Sequence, residues 1–179
     1  KVLGEAACRE NVPVRMSEIH GMAQRGGVVE SAMVFGDAES TIISDGEADI
    51  LLSFEPLEAL RAIKKCNART VVITNTAPLP PFTAAIGKGA YPEIETTLAH
   101  LKSKTGHLIT LDAASLAKSA GNELSVNIVL LGALIEIDLL PVTPESVQTA
   151  IKETTKKAFL ETNLKALELG REAVRDQIS

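Results

Sequence analysis

Apolar positions along the chain fall into two periods. At the start, Val2, Leu3, Ala6 and Ala7 recur at the spacing of one helix face. After Pro13 the segment 13–18 is short and extended. Residues 28–36, "VVESAMVFG", alternate apolar and polar positions as a half-buried strand does. Three further runs, 48–54, 70–75 and 107–112, are apolar nearly throughout, the pattern of strands covered on both faces. Helices separate them. One opens at Pro56, where a missing N–H is harmless, and runs to about Lys65; another starts near Pro92. Beyond Asp112 the chain turns helical. One helix closes at Gly121-Asn122 and an apolar one opens at Ser125. Thr143-Pro144 opens a third, and the last runs from about Lys157 to Arg175 with Leu160, Leu164 and Leu167 facing inward.

Alternating strands and helices predict one α/β domain over residues 1–179, a three-layer α/β/α sandwich around a mixed, mainly parallel sheet. Strand 28–36 follows strand 13–18 too closely for a helical crossover, so at least one pairing is antiparallel. A chain of this class seldom opens on a bare helix. A first strand and loop of roughly 10–20 residues are expected ahead of Lys1.

Composition narrows the chemistry. Of the 179 residues 45% are apolar and 23% charged, which is a soluble globular balance. A net charge of −5 and 3% aromatics argue against a nucleic-acid surface. Cys8 and Cys66 stand alone, with no CxxC pair for zinc or an iron–sulfur cluster, and read as packing residues in a reducing compartment. The longest apolar run, 127–140, is too short for a membrane span and carries Glu136 and Asp138. No GxSxG, P-loop or HExxH occurs, nor the GDG-and-Asn pattern that holds magnesium and thiamine diphosphate. No catalytic residue and no metal site is therefore assigned to this chain.

Ligands of open α/β sheets sit at the carboxyl ends of strands. Those ends carry Glu18, His20, Glu55, Asn75 and Asp112, which would share one rim if the strands are parallel. The stretch "SEIHGMAQRGG", residues 17–27, adds Gly21, Gly26 and Gly27, whose backbones can approach a ligand closely. Arg25 adds a planar fork of donors suited to phosphate or carboxylate. A tight strand-to-strand connection with a solvated arginine explains the same residues, and short Gly-rich motifs match often by chance. His20, with Glu18 two residues away, is either a base or a hydrogen-bonded structural histidine. Glu55 fits a helix N-terminal carboxylate, Asn75 a loop acceptor, and Asp112 a cap. Asn127, in the first turn of the apolar helix, fits a cap or an inter-element hydrogen bond.

Longer stretches carry a resemblance. "SEIHGMAQRGGVVESAMVFG", "GEADILLSFEPLEALR", "VVITNTAPLPP", "YPEIE", "SLAKSAGNELSVNIVLLGAL", "LPVTPESVQTAI" and "ETNLKALELGRE" follow in order over nearly the whole chain. Together they resemble the gamma-type domain of the 2-oxoacid:ferredoxin oxidoreductases, most closely the indolepyruvate (arylpyruvate) branch with its small separate subunit. Family members begin with a strand and a GxGGQG loop that this sequence lacks. The resemblance implies a subunit, inactive alone, of a cytoplasmic enzyme of anaerobes that decarboxylates a 2-oxoacid to an acyl-CoA. A larger alpha subunit would carry thiamine diphosphate, magnesium and Fe–S clusters and pass electrons to ferredoxin. This chain would bind no cofactor alone but would line the coenzyme A region through Gly21, Gln24, Arg25, Gly26 and Gly27, with Glu18 and His20 orienting the loop. Two other readings compete: a stand-alone Rossmann-like nucleotide-binding module with Glu18 on a ribose, and a non-catalytic interaction subunit. Neither nucleic acid nor membrane is an expected partner.

Overall fold

The computed structural model describes residues 1–20, 29–78 and 91–178. Five strands and seven helices occur among them: α1 (Val2–Arg9), β1 (Val14–His20), β2 (Val29–Phe35), β3 (Ile50–Ser53), α2 (Pro56–Ala62), β4 (Val71–Asn75), α3 (Ile94–Lys104), β5 (His107–Leu111), α4 (Ala113–Ala120), α5 (Val126–Glu136), α6 (Pro144–Thr154) and α7 (Lys157–Glu172). The chain divides into two compact units. The first is Lys1–Glu18, Ser31–Ile42 and Ala113–Ser179; the second is Ile19–Glu30 and Ile43–Asp112.

The second unit holds a parallel three-stranded sheet in the order β3-β4-β5. Ser53 stands opposite Thr74, and Asn75 opposite Leu111. Parallel neighbours need a crossover, and α2 and α3 supply the two required. Central β4 is buried at Val72, Ile73, Thr74 and Asn75, as its unbroken apolar pattern predicts. Edge strand β3 is buried only at Ser53. The strand's base is tied by Thr70, whose buried hydroxyl donates to the Ala48 carbonyl at 2.6 Å.

β1 and β2 form a separate two-stranded sheet. The Gly36 N–H donates to the Pro13 carbonyl, and the Ser31 hydroxyl to the Glu18 carboxylate. Five residues forward on one strand thus match five back on the other, the antiparallel sense expected from the short connection. The alternation in β2 predicts a half-buried strand, and its residues 32–35 are half-buried while 29–31 are exposed; no residue of β1 or β2 is fully buried. Period two reports a strand and says nothing of what covers it.

Helices make the core of the first unit. α5 is buried from Ile128 to Ile135 without a break, so it has no polar face to turn outward. α4 and α7 pack on it. At the α5–α7 crossing the backbones meet. A Cβ on Gly132 would overlap the Leu167 carbonyl oxygen, and one on Gly170 the Val129 carbonyl oxygen. Of the expected α7 stripe Leu167 is buried while Leu160 and Leu164 are half-buried, because Ala166, Gly170 and Val174 carry the contact line. α4 ends at Gly121 with φ +107°, its N–H bonded to the Lys118 carbonyl. α1 packs on α6, where the Thr143 N–H and hydroxyl both donate to the Glu10 carboxylate, at 2.8 and 2.6 Å. Cys66 is half-buried and burial pushes its thiol up, but Cys8 is exposed, so a packing role fits only Cys66. Among the described residues no helix is long and apolar enough to cross a membrane.

Where α5 and α7 end, Glu136 accepts from Arg171 at 2.6 Å and Arg175 at 2.8 Å, and Glu168 binds both guanidiniums from the other side. Burial pushes the Glu136 carboxyl up; bonds from Arg175 and Arg171 outweigh it and hold the group below its ordinary 4.5. A depressed carboxyl stabilises the fold above its unfolded pKa and loses that contribution as pH falls through the folded one. Melting temperature should therefore drop more steeply below pH 4.5 in the native chain than in Glu136→Gln. Equal slopes would rule the network out as the acid-sensitive contact. Gly132→Ala and Gly170→Ala should each lower the unfolding free energy by about 2 kcal/mol or more, since the intruding methyl meets backbone and not a movable side chain. Urea denaturation measures this, and an unchanged midpoint would show that the two helices can part freely.

Candidate functional site at the carboxyl rim of the parallel sheet

The carboxyl ends of β3, β4 and β5 bring three of the sequence-predicted positions to one edge: Glu55, Asn75 and Asp112. Their linkage begins at Ser53, the last residue of β3. Its hydroxyl donates to the Glu55 carbonyl at 2.5 Å and accepts from the Glu55 N–H at 3.2 Å. That local loop sets Glu55 at the N-cap of α2, where its Oε2 accepts from the Glu58 N–H at 2.9 Å. Pro56 follows at the first helical position, so no donor is wasted there. Asn75, ending β4, donates from Nδ2 to the Phe54 carbonyl at 3.1 Å and accepts the Ala77 N–H at 3.3 Å. The Thr76 N–H continues the seam by donating to the Leu111 carbonyl at 2.9 Å. Asp112 lies between β5 and α4.

Glu55 is only 4% exposed, which is rare for a carboxylate without partners. Its second oxygen is occupied by Tyr91, whose hydroxyl donates to Oε1. Burial, followed by the hydrogen bond to Glu55 and that group's charge, pushes the Tyr91 phenol above its ordinary value of 10. Tyr91 was not among the residues singled out from the sequence. It is the chain's one tyrosine and stands just before α3, but 36 residues separate it from Glu55. No local pattern announces such a pair.

Other predicted positions lie elsewhere. Glu18 and His20 are on β1, in the separate two-stranded sheet, so the single rim shared by all strand ends does not form. Both are exposed, and Glu18 accepts from Ser31 at 3.4 Å. Asn127 is no rim residue. It occupies the first turn of α5 and is exposed there, while the N-cap Ser125 makes no side-chain cap bond and donates instead to Asn163 at 3.0 Å. Gly21, Gln24, Arg25, Gly26 and Gly27 lie outside the described residues. Among the described residues no group of three or more His, Cys, Asp or Glu is placed to hold a metal.

The rim is thus a saturated frame. Each oxygen of Glu55 carries a bond, and Asn75 is used at both ends of its amide. Such a network fixes three strand ends and the start of two helices; it does not leave a poised base. Because Tyr91 is the only tyrosine, and tryptophan is absent, tyrosinate absorbance reads this site alone. A raised phenol pKa stabilises the fold below the unfolded value and is lost as pH rises through the folded value. The native chain should show no tyrosinate at pH 10, the urea-unfolded chain about half, and Tyr91→Phe should remove the associated alkaline loss of stability. Titration near pH 10 in the folded chain would mean that the Glu55 contact is not made.

The family model described as pyruvate ferredoxin/flavodoxin oxidoreductase matches residues 1–173. The indolepyruvate oxidoreductase subunit IorB of Methanothermobacter thermautotrophicus is 38% identical over 169 residues, 94% of this chain and 86% of that protein. Among solved structures, the gamma subunit of a keto/oxoacid ferredoxin oxidoreductase from Geobacter sulfurreducens shares the fold with a TM-score of 0.67 at 20% identity, over 96% of this chain and 86% of that one. The 2-oxoglutarate:ferredoxin oxidoreductase of Magnetococcus marinus, with 2-oxoglutarate, coenzyme A and succinyl-CoA bound, matches with a TM-score of 0.68 at 16% identity. That match takes in 98% of this chain but only 28% of the longer polypeptide.

Proposed function

Because the chain belongs to the pyruvate ferredoxin/flavodoxin oxidoreductase family, we propose that it is the small subunit of an arylpyruvate-type 2-oxoacid:ferredoxin oxidoreductase acting on indolepyruvate. The likeness to an indolepyruvate oxidoreductase subunit along 94% of the chain carries this reading. The reaction joins the acyl group of a 2-oxoacid to the sulfur of coenzyme A, releases carbon dioxide and one proton, and delivers two electrons to ferredoxin. Thiamine diphosphate supplies the carbanion chemistry of decarboxylation, and iron–sulfur clusters carry the electrons. This chain's donor set does not fit those groups. A cubane cluster takes four thiolates, and the chain has two cysteines, one exposed and one half-buried. They belong, with magnesium, on a larger alpha subunit in an anaerobic cytoplasm.

The share of this chain is to line the coenzyme A region. Arg25 offers a bidentate fork to a coenzyme phosphate, and Gly21, Gly26 and Gly27 let the backbone approach it. Gln24 adds an amide. Glu18 and His20, on β1 just before this stretch, orient it, and the bond between Glu18 and Ser31 of the neighbouring strand supports that role. The coenzyme A and succinyl-CoA held by the Magnetococcus enzyme, a relative in fold, agree with such a site. In the reconstituted two-subunit enzyme, Arg25→Ala should raise the KM for coenzyme A about tenfold, the loss of one charged hydrogen-bond pair. The KM for indolepyruvate should not move. Unaltered KM for coenzyme A together with normal subunit assembly would remove Arg25 from the site. Oxidation of indolepyruvate by the purified chain alone, without a thiamine-holding partner, would overturn the reading entirely.

A further inference from the structure

Residues 44–47, Ser-Asp-Gly-Glu, form the turn that leads towards β3. The Glu47 N–H donates to the Ser44 carbonyl at 3.3 Å, and the Ser44 N–H donates to the Glu47 carboxylate at 3.3 Å. Gly46 has φ +78°, the value a type II turn needs at its third residue. The turn therefore sets an aspartate directly before a glycine. It is the chain's one Asp-Gly pair, and Asn-Gly does not occur.

Such a pair carries its own chemistry. With no Cβ in the way, a glycine nitrogen can approach the carboxyl group of the preceding aspartate. The Gly46 nitrogen would bond to Asp45 Cγ, losing its proton while the carboxyl group loses an oxygen as water, and a five-membered succinimide closes. Water then adds to either ring carbonyl. Addition at Cγ restores aspartate. Addition at the backbone carbon breaks its bond to the Gly46 nitrogen and leaves the chain running through Cγ, an isoaspartate with one more methylene in the main chain. One water leaves and one returns, so no oxidant or co-reactant is needed.

Three contacts oppose this step. The Gly46 N–H donates to the Lys64 carbonyl at 3.0 Å, so the attacking nitrogen is held by its proton. The Gly46 carbonyl accepts from Asn67 Nδ2 at 2.6 Å, which fixes the next peptide. The Asp45 carboxylate meets Lys65 Nζ at 3.4 Å, and that ammonium is itself held by the Ile43 carbonyl at 2.7 Å. All three come from residues 64–67. Asn67 is braced in turn, its N–H donating to the Thr70 hydroxyl at 2.8 Å and its carboxamide oxygen accepting the Arg69 N–H at 2.7 Å. An exposed ion pair such as Asp45–Lys65 adds little stability; its effect here is to fix where the carboxylate points. We propose that Asp45-Gly46 is a latent isomerisation site that residues 64–67 hold closed. Isomerisation would also disturb the entry to β3, because the added methylene falls between Ser44 and Ala48, whose N–H donates to the Lys65 carbonyl at 2.9 Å. The inference does not depend on the oxidoreductase reading.

The test incubates the full chain at neutral pH, well below its melting transition. Isoaspartate is read after digestion by methyl transfer from S-adenosylmethionine with an isoaspartyl methyltransferase, and is placed at residue 45 by electron-transfer fragmentation. The guanidinium-unfolded chain should isomerise there about tenfold faster or more than the folded chain, which must first open locally. Lys65→Met and Asn67→Ala should each speed the folded chain about threefold or more, the loss of one hydrogen bond from the clasp. Asp45→Glu should abolish the signal, since its ring would need six members. If Asn67→Ala does not fold, Lys65→Met alone decides. Equal rates in folded and unfolded native chain would overturn the proposal, as would variants no faster than native. Methyl acceptance that survives in Asp45→Glu would place the site elsewhere and overturn it too.

Discussion

The helical unit depends on two side chains that are absent. Gly132 on α5 and Gly170 on α7 let each helix lay its backbone against a carbonyl of the other. A pair of alanines there would force the helices apart, and everything that the crossing positions would move with it. On one side of the contact, α7 carries Phe159 and Asn163 to the start of α5, where Ser125 holds Asn163. On the other side, Arg171 and Arg175 reach Glu136 at the end of α5. The Ser125–Asn163 bond and the ion network thus lie at opposite ends of one crossing whose fulcrum is backbone on backbone. Glycine's usual penalty inside a helix, about 1 kcal/mol against alanine, is the lesser term beside a buried close approach.

The sheet unit solves a different problem. Three parallel strands end together and leave unpaired backbone groups at their carboxyl edge. In many α/β proteins that edge is the reactive one. Here Ser53 is bonded to the Glu55 backbone and Asn75 to the backbone of Phe54 and Ala77, and the buried Glu55 carboxylate serves as a two-armed clamp between the α2 cap and Tyr91. A carboxylate removed from water needs such partners to remain. The edge is therefore held by its own hydrogen bonds.

Much of this was legible in the sequence, and the parts that were not share a cause. Apolar runs located β3, β4 and β5, although central β4 alone is buried along most of its length and β3 only at Ser53. Strand ends then led directly to Glu55, Asn75 and Asp112, since Asn75 ends its strand and the other two lie within two residues of theirs. The cap at Glu55-Pro56 and the stop at Gly121 were equally local. Tyr91 was hidden because its bond spans 36 residues, and Gly132 and Gly170 because glycine in a helix reads as weakness until the partner helix is known. The alternation in 28–36 identified a strand correctly, but its half-buried residues are contiguous at 32–35 and do not alternate, since periodicity cannot say what lies against a face. Leu124 illustrates the same blindness in reverse: one apolar residue in a polar turn signals nothing until its exposure is seen. Arg25, Gly26 and Gly27 fall outside the described residues.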